Sequence, residues 1–320
     1  MSNIKIGATL FCYGTEFARY QYDFEECVKQ AALAGATGYE IVGTQMLVGY
    51  PGVTDEFLGL VQRLGPVGYG ANNDKGMRPD RNLTDDEILA DAIIDLKTDH
   101  KLGCKVMRAQ MMLSPVAFER LAPYAEIYDV KVGVEIHNPE TSLSDTMKQY
   151  LEVIKRTGSK HLGFIPDLGC FATKPNKPHW DKALKASVAE EYMQEAAQMR
   201  YDGVPLMEAQ KTLLGKGASP AIIPALQGMH GFVQFRPESA LSSLLDELKE
   251  ILPFSFEIHG KFHYLDENNV DASIPYDEVL ETIIKSDFKG YIIGEYEDEL
   301  YCGGTEFTKR QIKMLKRILG

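Results

Sequence analysis

Short apolar runs alternate along the chain with longer stretches in which apolar positions recur every three or four residues. The first pattern reads as buried strand and the second as amphipathic helix. Apolar runs fall at residues 5–13 (KIGATLFCY), 38–43 (GYEIVG), 67–73 (VGYGANN), 105–110 (KVMRAQ), 131–139 (KVGVEIHNP), 161–169 (HLGFIPDLG), 253–262 (PFSFEIHGKF) and 290–297 (GYIIGEYE). Helical patterns separate them and carry end signals. Gly35 fits a C-cap after FEECVKQAALA, and Thr54 an N-cap for a helix to Leu64. Thr84 and Glu87 have capping-box spacing, with Gly103 closing that helix, and Ser114 precedes a proline at the first helical position of the next. Further helices are expected over 142–157 and 305–319.

Eight strands alternating with helices, with few charges inside the strands, predict an α/β chain with a parallel sheet covered on both sides. The count fits a closed (β/α)8 TIM barrel, expected as one domain over residues 1–320. An open dinucleotide fold lacks its fingerprint, because no GxGxxG follows the first strand. One connection departs from the pattern. Residues 172–250, between the sixth and seventh strands, hold a proline- and lysine-rich loop (CFATKPNKPHW begins at residue 170) and then several helical patterns. This long loop and helical insertion is expected at the C-terminal mouth as a lid or partner-docking surface, since connections after barrel strands emerge there.

Composition narrows the function. With 44% hydrophobic residues the 320-residue chain can build a large core, and its net charge of −12 argues against nucleic acid or an anionic membrane as main partner. Five scattered cysteines without a CxxC pair, a start unlike a signal peptide, and no apolar run near the ~20 residues a bilayer span needs lead to a cytoplasmic expectation.

The strand ends carry the chemistry. The fifth offers Glu135, the sixth Asp167, the seventh His259 and the eighth Glu295. Barrel enzymes place catalytic groups at these ends. Three carboxylates in one mouth repel each other unless a cation joins them. An oxygen-rich set with one nitrogen suits one divalent ion, Mn²⁺ first, with Mg²⁺ or Co²⁺ as alternatives. His137 lies two residues beyond Glu135, on the same face of an extended strand, where it suits proton transfer. Arg108 and Gln110 on the fourth strand, Asn138, and Lys261 and His263 beyond His259 are candidate substrate contacts, with Asn72 and Asn73 at the end of the third strand.

The stretches VEIHNP, FIPDLGCF, EIHGKFH and IGEYE resemble the xylose-isomerase-like superfamily of sugar isomerases and epimerases. At a finer level, YEIVGTQM, YGANNDKGMRPDR, KLGCKVMR, VEIHNPET and FIPDLGCFATKPNKPHW together look like the α (catalytic) subunit of bacterial C-glycoside deglycosidases. The resemblance implies a metal-dependent carbon–carbon lyase. Its substrate would be a 3-keto sugar joined through carbon to an aromatic, flavonoid-type aglycone, and a smaller β subunit would complete a hetero-oligomer. A base separate from the metal would remove the C2 hydrogen, and His137 is the candidate. The alternative is a ketose 3-epimerase or sugar isomerase with the same metal, in which Glu135 and Glu295 would move the protons. A DNA-repair nuclease on this fold would need more histidine ligands and a basic groove than seven histidines and a charge of −12 provide.

Overall fold

A computed structural model describes residues 3–42, 83–110, 113–297 and 303–320, and the backbone of 70–72. The helix expected over 54–64 and the Asn72 and Asn73 side chains lie outside the described residues. Eight strands pair in parallel: β1 Lys5–Thr9, β2 Tyr39–Val42, β3 Gly70–Asn72, β4 Val106–Ala109, β5 Lys131–Ile136, β6 Leu162–Pro166, β7 Glu257–Phe262 and β8 Tyr291–Tyr296. Their order, β6-β5-β4-β3-β2-β1-β8-β7, is that of a (β/α)8 barrel. The last seam, between β6 and β7, is held by two isolated bridges, Phe164–Ser255 and Asp167–His259, rather than a continuous ladder. Phe256 N donates to Phe164 O there at 3.0 Å. Gly163 allows this approach, because a Cβ on it would stand 2.3 Å from the Phe254 carbonyl oxygen.

The strands are shorter than the apolar runs. β1 stops at Thr9, whose hydroxyl accepts from Phe11 N at 3.3 Å and opens a 3₁₀ turn, Leu10–Tyr13. In the same way Asp167 caps a 3₁₀ turn, Leu168–Phe171, just past β6, and His137 falls just past β5. Helices α1 Gly14–Ala18, α2 Phe24–Ala34, α3 Asp85–Leu102, α4 Pro115–Tyr128 and α5 Asp145–Thr157 follow. The capping box forms: Thr84 Oγ1 accepts from Glu87 N at 3.3 Å, and Glu87 Oε2 from Thr84 N at 2.9 Å. Val132, Val134 and Ile136 on β5 join the buried apolar cluster, and with period two they leave Gly133 and Glu135 facing the barrel interior.

Between β6 and β7 the chain forms α6 Lys177–Lys185, α7 Glu190–Tyr201, α8 Leu206–Gly215, α9 Ile223–His230 and α10 Leu241–Ile251. The segment after α9 returns across the ends of β5 and β6. Arg236 donates to Cys170 O (3.0 Å) and Pro139 O (3.1 Å), and its backbone N to Ala172 O (3.0 Å). Two helices complete the wall, α11 Tyr276–Ile284 and α12 Gly304–Leu319. In α12 the buried positions Thr308, Gln311, Ile312, Leu315 and Leu319 recur at helical spacing on one face. The four described cysteines, Cys12, Cys27, Cys104 and Cys170, are buried and free. No described helix is long and apolar enough to cross a membrane.

Candidate metal centre

β7 supplies the spine of the site. Glu257, His259 and Lys261 occupy alternate positions and point to one face, the barrel interior. Parallel register sets Lys261 beside Glu295 of β8, and a bridge sets His259 beside Asp167. The interior is therefore charged where many barrels are packed with aliphatic side chains. Glu40, Arg108, Glu135, Glu257, His259, Lys261 and Glu295 are all buried.

Three of the four expected ligands converge. His259 Nδ1 lies 2.9 Å from Glu135 Oε1 and 3.0 Å from Glu295 Oε2. Among the described residues none of these three buried atoms has a hydrogen bond of good geometry. Two carboxylate oxygens and one imidazole nitrogen that meet at a point, with no hydrogen bond of good geometry among the described residues, fit the donor set of a divalent cation. The fourth, Asp167, stands apart from that cluster. Its Oδ1 accepts from Gly169 N at 2.7 Å, and its Oδ2 lies 3.4 Å from Lys261 Nζ.

Two buried cations balance the carboxylates. Arg108 donates to Glu135 Oε2. Lys261 Nζ donates to Glu297 Oε2 at 2.8 Å and lies 3.3 Å from Glu295 Oε1. Burial alone would raise the Glu135 and Glu295 carboxyls. Arg108 and His259 reverse this at Glu135, and Lys261 and His259 at Glu295, so both sit below the usual carboxylate range. Burial works against charge on His259 and Lys261 too, but the surrounding carboxylates hold both well above their ordinary values. Asp167 goes the other way, because burial outweighs Lys261 and His137. The Arg108–Glu135 pair is 3% and 2% exposed. Losing one partner of so buried a pair costs about 3–5 kcal/mol. Arg108→Met is accordingly expected to lose stability on that scale in urea unfolding without metal; a loss below about 1 kcal/mol would show that Glu135 needs no counter-charge.

His137 is placed differently from the ligands. Its ring is 19% exposed, so it reaches the mouth while His259, at 0%, does not. Its Nδ1 lies 2.8 Å from the Asn138 carbonyl, which can only accept, so Nδ1 carries the hydrogen and Nε2 is the basic nitrogen. Nε2 lies 3.3 Å from Lys261 Nζ and 3.6 Å from Asp167 Oδ2. Phe232, 76% exposed, stands edge-on to the ring at 5.6 Å.

The candidate substrate contacts divide. Gln110 is exposed just beyond β4, at the mouth. Asn138 is instead a structural tie: its amide donates to Gly169 O and Phe232 O and accepts from Gln234 Nε2 at 3.2 Å, pinning the insertion to the barrel. Arg108 and Lys261 serve first as counter-ions. His263 is held by the Glu297 carbonyl, and burial lowers its pKa. Sequence reasoning passed over Glu40, Glu257, Glu297 and Phe232. Glu257 had a signal, since FEIHGK places Glu, His and Lys at period two.

A parallel (β/α)8 barrel with this cluster at its mouth has the fold of the sugar-epimerase and xylose-isomerase-like barrels. Among solved structures it matches an L-ribulose 3-epimerase (TM-score 0.59, 13% identity, 99% of this chain and 94% of that one). It also matches a xylose isomerase-like TIM barrel protein from Mycobacterium smegmatis in complex with magnesium (0.56, 12%, 100% of both). A third is the 3-keto-D-glucoside 4-epimerase from E. coli (0.54, 12%, 98% and 99%). In sequence the chain is similar over its whole length to C-glycoside deglycosidase alpha subunits. The 3'-dehydrocarminate deglycosidase alpha subunit of a Microbacterium species is 28% identical over 350 residues, 99% of this chain and 95% of its own. The C-glycoside deglycosidase alpha subunit of Arthrobacter globiformis is 28% identical over 340 residues, 99% and 93%. No protein-family model matches the chain.

Proposed function

We propose that this chain is the catalytic subunit of a metal-dependent C-glycoside deglycosidase, cleaving the carbon–carbon bond between a 3-keto sugar and an aromatic aglycone. One observation carries the reading: three buried ligand atoms, Glu135 Oε1, His259 Nδ1 and Glu295 Oε2, without a hydrogen bond of good geometry among the described residues, converge beside a more accessible histidine that is not among them. The full-length similarity to deglycosidase alpha subunits supports it. Glu135, His259 and Glu295 would hold one divalent ion, Mn²⁺ by preference, with Asp167 as a fourth ligand if it leaves Lys261. Bound there, the ion would supply Lewis-acid stabilisation of negative charge developing on the sugar oxygens.

The remaining work falls to the chain's own groups. His137 Nε2 takes the C2 hydrogen, which the adjacent 3-keto group makes acidic. The C2–H electron pair forms the enediolate and then the C1–C2 double bond. The C1–aryl bond breaks as the C3 carbonyl re-forms, its pair stays on the aglycone carbon, and that carbon takes the proton that His137 removed from C2, which restores the base. Lys261, fixed among Glu295, Glu297 and Asp167, adds a positive charge beside this centre. The exposed Phe232 ring offers the aglycone an aromatic surface next to the base. The 320 residues form one barrel domain, and the 172–250 insertion is its lid or the docking surface for a smaller second subunit. The relatives' designation as alpha subunits supports such a partner.

The competing reading is a ketose 3-epimerase, which the shared fold accommodates. Incubation of the Mn²⁺-loaded protein, alone and with a candidate small subunit, with a 3-keto C-glycoside and separately with fructose or tagatose decides between them. Release of free aglycone is the expected result. C3 inversion of the free ketose with no aglycone released would overturn the deglycosidase reading.

A further inference from the structure

We propose that Glu40 is a positioning residue that aims His259 at the metal, an inference that rests on the metal reading above. Glu40 lies on β2, across the barrel from β7, and both side chains are fully buried. Glu40 Oε2 is 3.0 Å from His259 Nε2. The opposite ring nitrogen, Nδ1, faces Glu135 Oε1 at 2.9 Å and Glu295 Oε2 at 3.0 Å. One imidazole is thus held between two sets of carboxylates, with a different task for each nitrogen. With Nε2 donating its hydrogen to Glu40, an ion held by Glu135 and Glu295 would displace the Nδ1 proton and meet the lone pair at that nitrogen. The bond to Glu40 also makes that lone pair more electron-rich, as a carboxylate behind a metal-ligating histidine does.

The sequence supplies both halves through strand geometry. Glu40 is central to β2 and His259 to β7, and the buried run of each strand allows neither side chain to reorient toward water. Glu257 completes the inner group with Glu40 and His259. Among the described residues neither Glu257 oxygen has a hydrogen-bond partner. The Glu40–His259 contact joins this deep layer to the residues at the mouth.

The test measures Mn²⁺ affinity by titration calorimetry on wild type, Glu40→Gln, Glu40→Leu and His259→Gln, after circular dichroism shows each to be folded. Both Glu40 variants are expected to bind Mn²⁺ about 10–100-fold more weakly. With Zn²⁺ as a diamagnetic probe, ¹⁵N-histidine spectra of wild type should show metal on Nδ1 and hydrogen on Nε2 of the ring that His259→Gln deletes. Wild-type affinity in both Glu40 variants, or zinc on Nε2, would overturn the proposal. So would a second equivalent of Mn²⁺ per chain lost on Glu40 substitution, because Glu40 would then be a ligand. If His259→Gln itself binds Mn²⁺ as wild type does, the metal reading fails; if only the Glu40 variants do, the positioning role alone fails.

Discussion

Glu295→Gln is expected to leave no stoichiometric Mn²⁺ on the protein after desalting, measured by elemental analysis. Glu295 offers Oε2 to the cluster, 3.0 Å from His259 Nδ1, while its Oε1 lies 3.3 Å from Lys261 Nζ. An amide in its place removes a negative charge from beside a buried lysine. It also brings an N–H₂ donor into a position that needs an acceptor. Glu135 cannot compensate, because its other oxygen is taken by Arg108. Ligand charge count governs the affinity of oxygen-rich sites for hard cations, so one carboxylate of two is a large loss. A thermal-shift readout follows by mass action. Metal at 100 times its Kd adds about 2.7 kcal/mol to the wild type, and the variant should show no such gain. Asp167→Asn is expected to weaken binding without abolishing it, since Asp167 faces Gly169 and Lys261 rather than the cluster. A Glu295→Gln protein that retains stoichiometric Mn²⁺ would remove Glu295 from the centre. Equal losses in both variants would restore a four-ligand set.

The barrel was legible because its strands are buried on both faces and read as apolar runs between helices with clear caps. Gly35, Gly103, Thr84 and Ser114 all terminate helices as their local chemistry suggests. Strand ends were less so. KIGATLFCY and HLGFIPDLG look continuous, but Thr9 and Asp167 turn the backbone into 3₁₀ turns through their own side chains. That competition depends on side-chain geometry that hydrophobic pattern does not encode. The convergent cluster was legible where a polar residue ended a strand, as with Glu135 and Glu295. It was opaque where pairing crosses the barrel. Glu40 and His259 are 219 residues apart, and Arg108 reads from sequence as a sugar contact until β4 sets it beside Glu135 on β5. Asn138 shows the same limit, because its partners Phe232 and Gln234 belong to the insertion.

His137→Ala is expected to keep the metal and lose turnover by about 10²–10⁴-fold, the usual contribution of a positioned general base. His137 is absent from the convergent cluster, and its ring is partly open to the mouth, so Mn²⁺ affinity should stay near that of wild type. The loss belongs in kcat rather than KM, because proton abstraction contributes in the transition state and not to substrate binding. His137→Gln sharpens the test. Glutamine can still hydrogen-bond a sugar hydroxyl but cannot take a proton from carbon. If His137 is the base, both variants should fall together. If glutamine restores much of the activity, His137 is a sugar contact and the proton moves elsewhere. The metal-side carboxylates are then the remaining candidates, which is the arrangement of an epimerase. But Glu135 is locked to Arg108, and Glu295 is pulled below the usual carboxylate range by Lys261 and His259. Carboxylates so stabilised in their charged form are weak bases, whereas His137 carries its hydrogen on Nδ1 and keeps the Nε2 lone pair, and the nearby Lys261 is already engaged by Glu297 at 2.8 Å. The electrostatics of the mouth therefore favour the histidine, and a full rate in His137→Ala would mean that the carboxylates act as bases despite their counter-ions.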